Sequence, residues 1–429
     1  MPKKEWGDVC TRVDTCALAG VAAFAAGIPE ADIIANGPLW CYFYALRPLE
    51  KVDNTVARRF TGTQPDNNSV VFGTESCLGE ELARRKTEGR SPSLLLVENS
   101  CSVSLIGDDI AGILNAADLG YPTLAVDSGG LKGGFAEGYS LAGLKLLQEL
   151  NLHRQTVKPR TVNILGATPF YYNGTNDWRE IKRILTLANL EVVSTPGCYS
   201  TLAEIQQITS AAYNIVLHEE LGLEQAKYLE ANYGMPYKSC GIPYGLEGTL
   251  QWLRDLELEP QDLVAVTAQA DQLQEALYNM SNELRMAWQE LWFDEIIISG
   301  PVTMALSLAS ALRLEIADAK RLVVMAQHKP LLQKASSEID ELIIATEEPQ
   351  AIAREFKDFT NGLLLASSSE RNLLAAQGKY SYAALNIANP SVEEIIMTDQ
   401  PFVGLRGAMN LAEKIWHLKI RRIIEESRL

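Results

Sequence analysis

A chain of 429 residues has room for about three domains of roughly 150 residues each. Hydrophobic residues at 47% and charged residues at 21% are a globular composition, which excludes disorder over most of the length. The 38 Lys and Arg against 54 Asp and Glu leave a formal charge of −16, which excludes a broad basic face for nucleic acid or an anionic membrane.

The chain opens with Lys3 and Lys4 and then the apolar run Cys16–Ile28, the outline of a secretion leader. Glu5, Asp8 and Asp14 occupy what should be its positive region, so the expectation is a cytoplasmic protein. Neither Cys16–Ile28 nor Ile296–Leu312, the longest uncharged runs, reaches the ~20 apolar residues of a membrane span. In a reducing compartment the seven cysteines are core thiols, metal ligands or redox groups rather than disulfides.

Short β-branched runs then alternate with helical windows. A first set of strands is expected at Asp32–Gly37, Val70–Gly73, Ser93–Asn99 and Thr123–Ser128. A second set begins at Thr161, Glu191, Tyr213 and Pro236, and a third at Glu295, Arg321, Glu341, Gly362 and Ala383. Near-continuous apolar strands bounded by turns predict parallel sheets buried on both faces. Between them, windows such as DWREIKRILTLAN place Trp178, Ile181, Ile184, Leu185 and Ala188 on one helical face. The expected fold is α/β: three doubly wound, Rossmann-like domains with parallel sheets, over residues 1–155, 156–270 and 271–429, the last ending in a helix. Linkers are expected at His153–Arg160 and in a helical stretch around residues 260–290.

Ligands of open α/β sheets collect at the carboxyl ends of strands. Cys41 and Cys101 lie just after expected strands, and Cys16 precedes the first helical window. No CxxC pair occurs, so neither a zinc ribbon nor a ferredoxin-type run is indicated. The spacing by itself favours three buried, inert thiols, though it also permits soft ligands converging on one sheet edge to hold an iron–sulfur cluster.

The ordered segments CALAG, GPLWC, VVFG, ENSCSVSLIGDDI and DSGGLKGGFAEGY resemble the N-terminal domain of nitrogenase component 1 proteins. That family includes the nitrogenase α and β chains, their cofactor-assembly scaffolds and nitrogenase-like reductases. NGTNDWREIKRILTLANLEVVST and STLAEIQQITSAAYNIVLH resemble its second domain, and GLLLASSSERNLLA and PFVGLRGAMNLAEKI its third. The resemblance implies that Cys16, Cys41 and Cys101 hold an iron–sulfur cluster, 4Fe–4S or larger, near a subunit interface. Three ligands are one short for a simple cubane. The fourth comes from a partner chain or from Cys77, with Cys10 a weaker candidate and Cys198 and Cys240 expected as core or pocket thiols. The glycine-rich loop DSGGLKGGF is either an ordinary strand–helix turn or one that brings backbone close to the cluster.

Nitrogenase proper also holds a large metal cofactor through one Cys and one His. The matching positions here read Glu219, beside His218, and approximately Glu394, so no molybdenum cofactor is expected. His218 and Glu219 remain candidate catalytic residues, with a packed structural histidine as the alternative. No G-x-x-x-x-G-K-[ST] phosphate loop occurs, so electrons are expected from a separate ATP-hydrolysing iron protein. A second component 1-type chain, identical or different, is the other expected partner. A small organic substrate would lie between the domains, near Tyr171, Tyr172, Trp178, His218, Tyr244, Glu370 and Arg371. The leading function is the catalytic subunit of a nitrogenase-like oxidoreductase. A scaffold for assembly of a metal cofactor, or a cluster-free structural subunit, are the alternatives.

Overall fold

The computed structural model describes residues 15–391 and 394–427, so Cys10 and the early acidic residues lie outside the described residues. Among the described residues three sheets account for thirteen strands. The first contains β1 (Ala31–Asn36), β2 (Phe60–Gly62), β3 (Leu94–Asn99) and β4 (Thr123–Val126) in the order β2-β1-β3-β4. The second contains β5 (Thr161–Leu165), β6 (Glu191–Ser194), β7 (Tyr213–Val216) and β8 (Tyr237–Ser239) in the order β6-β5-β7-β8. The third contains β9 (Trp292–Gly300), β10 (Asp318–Ala326), β11 (Glu341–Ile344), β12 (Leu363–Ala366) and β13 (Ala383–Asn386), ordered β11-β10-β9-β12-β13. Every pairing is parallel. β1, β3, β5 and β12 are buried at each residue, which is why they read as largely apolar runs without alternation.

In each sheet the chain winds first to one side and then to the other, so the order reverses between β1 and β3, β5 and β7, and β9 and β12. A crevice opens beyond the strand ends at such a reversal. The second sheet sits in the middle. Val162 and Ile164 on one face share a core with Ile296, Ile298 and Leu363 of the third sheet. Leu165 and Val216 on the other face share one with Ile33 and Leu96 of the first.

The apolar run after Cys16 forms α1 (Ala17–Ala26), buried at all ten residues, the expected fate of a helix hydrophobic all round. It lies against α4 (Phe135–Glu149) so closely that a Cβ at Gly138 would fall 1.9 Å from the Ala17 carbonyl oxygen. Ile296–Leu312 divides into β9 and the helix Val302–Ala311. No helix among the described residues is long and apolar enough to cross a membrane.

One expected strand is not formed. Val70–Gly73 instead ends the helix Asn67–Phe72, because Asp66 caps it, accepting from the Ser69 amide at 2.9 Å and the Ser69 hydroxyl at 2.8 Å. The place beside β1 is taken by β2, three residues anchored by buried Phe60.

Candidate functional site

The reversal between β1 and β3 places two of the three cysteines. After β1 the chain turns through Gly37 and Pro38 into α2 (Leu39–Glu50), with Cys41 in its first turn. After β3, Cys101 begins the short helix α3 (Cys101–Ile106). Cys16 arrives from elsewhere: it caps α1 and pairs with Gly134, and the Ala17 N–H donates to Gly133 at 3.0 Å. The glycine-rich loop after β4 therefore packs against the backbone at two of the cysteines, since a Cβ at Gly129 would stand 3.4 Å from the Cys101 Cα and 2.7 Å from the Ser104 hydroxyl.

Cys16 and Cys101 are exposed and Cys41 is half-buried. Burial pushes the Cys41 thiol up, and negative charge at Cys16, Cys101 and Glu98 pushes it further. Cys41 thus lies within electrostatic reach of both other thiols. Among the described residues no three Cys, His, Asp or Glu side chains close around a single ion. A cluster makes a different demand, because each thiolate of an iron–sulfur cluster binds its own iron and the donors stand apart. Three soft donors, two of them open to solvent and backed by glycine backbone, fit that demand. Cys77 lies in the helix Glu75–Thr87 with its sulfur 3.3 Å from the Ser69 hydroxyl. Cys198 is buried and its thiol is pushed up by burial, and Cys240 is pushed up to about 11, chiefly by burial.

Behind the thiols lies Glu98 on β3, fully buried. Burial holds its carboxyl well above the usual carboxylate range, with the Ala22 N–H offsetting only part of that cost.

His218 and Glu219 follow β7 at the second sheet's reversal, and the structure gives them different surroundings. His218 lies edge-on to Tyr171 with ring centroids 5.0 Å apart, and its Nδ1 is 3.4 Å from Glu220. Glu219 is buried and fully engaged: it accepts from the Ser239 hydroxyl at 2.7 Å and from the Leu332 and Gln333 amides at 2.7 and 3.1 Å. It clasps a loop of the third sheet's unit to the second.

A cavity of about 1040 Å³ opens where the three units meet. Its walls include Trp40, Tyr44, Lys51 and Phe135 from the first unit, Phe170, Tyr171, Tyr172 and Arg179 from the second, and Pro301, Gln327 and Ile395–Met397 from the third. Of the residues expected there, Tyr171 and Tyr172 line it. Trp178, His218 and Tyr244 line a narrow recess of about 30 Å³ that shares Tyr171 and Tyr172 with it. Glu370 is buried between the ends of β9 and β12, accepting from Ser299 at 2.9 Å and from Ser367, so it packs rather than lines. Arg371 lies 3.4 Å from Glu394, a residue of the cavity wall that also accepts from the Tyr172 hydroxyl at 2.7 Å.

Sequence reasoning missed Trp40, Tyr44, Lys51, Phe135 and Arg179. The adjacency of Trp40 to Cys41 was the available signal, since an aromatic beside an expected ligand at a strand end marks the same crevice.

A family model described as nitrogenase component 1 type oxidoreductase matches residues 16–418. The chain is 24% identical over 372 residues to a subunit of the light-independent protochlorophyllide reductase of Chloroflexus aurantiacus, across 81% of this chain and 66% of that protein. It is 23% identical over 432 residues to the nitrogenase iron-molybdenum cofactor biosynthesis protein NifE of Nostoc sp., across 96% of this chain and 84% of that protein. With the nitrogenase molybdenum-iron protein alpha chain of Clostridium pasteurianum it shares 28% identity over 254 residues, 56% of this chain and 46% of the other. The chain spans about two thirds of the length of the reductase subunits it matches. Among solved structures, nitrogenase Cp1 at pH 6.5 superposes with a TM-score of 0.75 at 17% identity, covering 96% of this chain and 93% of that one.

Proposed function

The chain belongs to the nitrogenase component 1 type oxidoreductases, and on that premise we propose that it is a subunit of a nitrogenase-like reductase acting on an organic substrate. One observation carries the reading: α2 contributes Cys41 to the thiol region and Trp40 and Tyr44 to the large cavity, with Lys51 just past its C-terminal end lining the same cavity. A single helix separates the place for electrons from the place for a substrate.

In this reading Cys16, Cys41 and Cys101 hold a metal–sulfur cluster, with a fourth ligand from a partner chain or from Cys77. Such a cluster would supply low-potential electrons. The backbone at Gly129 and Gly134 supports the loops carrying Cys101 and Cys16, and Glu98 lies buried behind them. The aromatic walls seat a flat conjugated molecule by stacking. Saturating one double bond consumes two electrons, delivered by a separate ATP-hydrolysing iron protein, and two protons. The Tyr172 hydroxyl, already bonded to Glu394, is placed to relay a proton at the cavity wall.

The rival is a scaffold for a metal cofactor, favoured by the match to NifE along 96% of the chain. The cavity lining argues against it: no Cys or His is present among those residues to hold a metal. Anaerobic co-expression with a second component 1-type chain decides between them. The reductase reading expects a reducible cluster and ATP-dependent loss of a substrate double bond when an iron protein is added. Tight uptake and release of a metal cofactor without turnover would establish the scaffold instead.

A further inference from the structure

Glu98 breaks the pattern of its own strand. Along β3, Leu94 and Leu96 face the core that holds α1, whereas Leu95 and Val97 face the other side of the sheet. Strand alternation turns Glu98 the same way as Leu94 and Leu96. Its partners in register, Ala35 on β1 and Val126 on β4, belong to that core too. The layer above is α1, ten residues without a polar side chain. Glu98 is 0% exposed, and neither of its carboxyl oxygens has a hydrogen-bond partner among the described residues. The charged groups on the elements around it are engaged elsewhere. Asp32 of β1 lies on the opposite face with Ile34 and pairs with Arg85 and Arg90. Asp127, just after β4, pairs with Lys132, and Arg47 of α2 pairs with Glu50. In α4, Glu137 accepts from the Gly134 amide, Lys145 donates to the Ala125 carbonyl and Glu149 is exposed. α3 carries no charged residue. The Cys41 thiol lies within electrostatic reach of Glu98, and within reach of Cys16 and Cys101 as well.

A buried carboxyl that meets no donor is a cost to the fold, and such a group calls for a reason to be kept. We propose that Glu98 is the proton partner of the sulfur site, taking up one proton when an electron arrives at the cluster held by Cys16, Cys41 and Cys101 and giving it back when the electron leaves. This rests on the reading of those cysteines as cluster ligands. At low dielectric, two like charges at close quarters raise each other's energy steeply. An electron added at the sulfur site therefore raises the proton affinity of the carboxylate, and its removal lowers it. The step balances. The low-potential donor loses one electron, the cluster gains it, and one proton passes from solvent to a Glu98 oxygen, so the net charge of the site is unchanged. Cys16 and Cys101 are exposed, which brings solvent to the edge of the site. No hydrogen bond joins Glu98 to a thiol among the described residues, so the coupling acts through the electric field alone.

The test reads a potential rather than turnover. The complex with a second component 1-type chain is assembled anaerobically, without substrate or ATP. Its midpoint potential is measured from pH 6 to pH 9 by redox titration followed with electron paramagnetic resonance. The wild-type midpoint is expected to fall as pH rises, by up to a tenfold change in the reduction equilibrium per pH unit, about 59 mV for one electron. Glu98→Gln keeps the shape without an ionising group, so it should hold the same iron at a potential that no longer moves with pH. Glu98→Leu should flatten the profile too, and should raise the urea midpoint, since an unpartnered carboxyl gives way to an apolar side chain in an apolar layer. A wild-type potential indifferent to pH, a slope that survives in either variant, iron lost from Glu98→Gln, or a lower urea midpoint in Glu98→Leu would each overturn the proposal. A wild-type complex without iron would sink the cluster reading and the proposal with it, whereas an iron-loaded complex with a flat profile sinks the proposal alone.

Discussion

Trp40 and Cys41 are consecutive in the first turn of α2 and serve different spaces: Trp40 lines the central cavity, which Cys41 does not, while the Cys41 thiol lies within electrostatic reach of Cys16 and Cys101. Neighbouring helical residues point about 100° apart, which suffices to put them on two walls. Cys41→Ala should therefore lower bound iron in the assembled, anaerobic complex by more than the ~10–100-fold in affinity that outer-shell changes cause, with circular dichroism unchanged. Trp40→Ala should keep the iron and raise KM for the substrate by roughly tenfold to a hundredfold, the value of burying one large apolar side chain. A full iron complement in Cys41→Ala removes that thiol from the ligand set.

Cys16 depends on a helix contact remote from any metal chemistry. Gly138 in α4 lets the Ala17 carbonyl approach to within van der Waals range, and a methyl group there would overlap it at 1.9 Å. Backbone must move, and the end of α1 that moves carries Cys16. Gly138→Ala is expected to cost about 3 kcal/mol or more, at or beyond the usual range for overpacking, and to reduce iron content with all three cysteines intact. Gly79→Ala is the contrast: it sits in the helix Glu75–Thr87 with nothing within 4 Å of the new methyl, and should stabilise by up to about 1 kcal/mol. Paired thermal melts and iron assays read both outcomes.

Glu219 and His218 separate by the same logic. Glu219→Ala strips an acceptor from one hydroxyl and two amides, and leaving such donors unmet in a buried site costs about 2–4 kcal/mol in all. A lowered urea midpoint is expected, along with loosening of the loop around Leu332 and Gln333 seen by hydrogen exchange. His218→Ala removes an edge contact with Tyr171 and a long bond to Glu220, so its stability loss should be smaller than that of Glu219→Ala. A larger loss at His218 would reverse these assignments.

The strands most legible in the sequence were those buried on both faces, such as β3 and β12, where runs of four consecutive apolar residues fill the buried positions. β2 was illegible because three residues carry too little pattern, and Val70–Gly73 misled because its β-branched pair sits in a helix that Asp66 caps. Cys41 and Cys101 were legible as strand-end positions, since each follows a strand buried on both faces, whereas the approach of Cys16 to the loop after β4 joins segments more than a hundred residues apart. The cavity was harder to read. Lys51 and Arg179 come from helices more than a hundred residues apart, and Glu394 meets Tyr172 across 222 positions, so nothing local marks them as sharing a space. Likewise Glu98 reads as a polar residue ending a strand, and only packing beneath α1 reveals that it is buried.

Asp177 supplies a pH signature for the joint between the second and third units. Its Oδ1 accepts from the Phe402 amide at 2.6 Å and the Val403 amide at 3.3 Å, joining α5 (Gly174–Leu187) to the segment leading into the C-terminal helix Gly404–Glu426. Burial pushes its pKa from 3.8 up to about 7, the two amides opposing the shift and nearby Glu180 adding to it. Between those values the folded chain binds more protons than the unfolded one, so this group's contribution to stability falls as pH rises and levels off above about 7. The slope approaches about 1.4 kcal/mol per pH unit at most. Asp177→Asn retains the accepting oxygen and cannot ionise. Urea midpoints measured from pH 4 to pH 8 should therefore diverge, with the variant close to wild type at pH 4 and more stable at pH 8. Groups titrating elsewhere affect both proteins alike and cancel in the difference. Parallel profiles across that range would show that Asp177 ionises in the folded chain as it does in the unfolded one, and that the joint tolerates its charge.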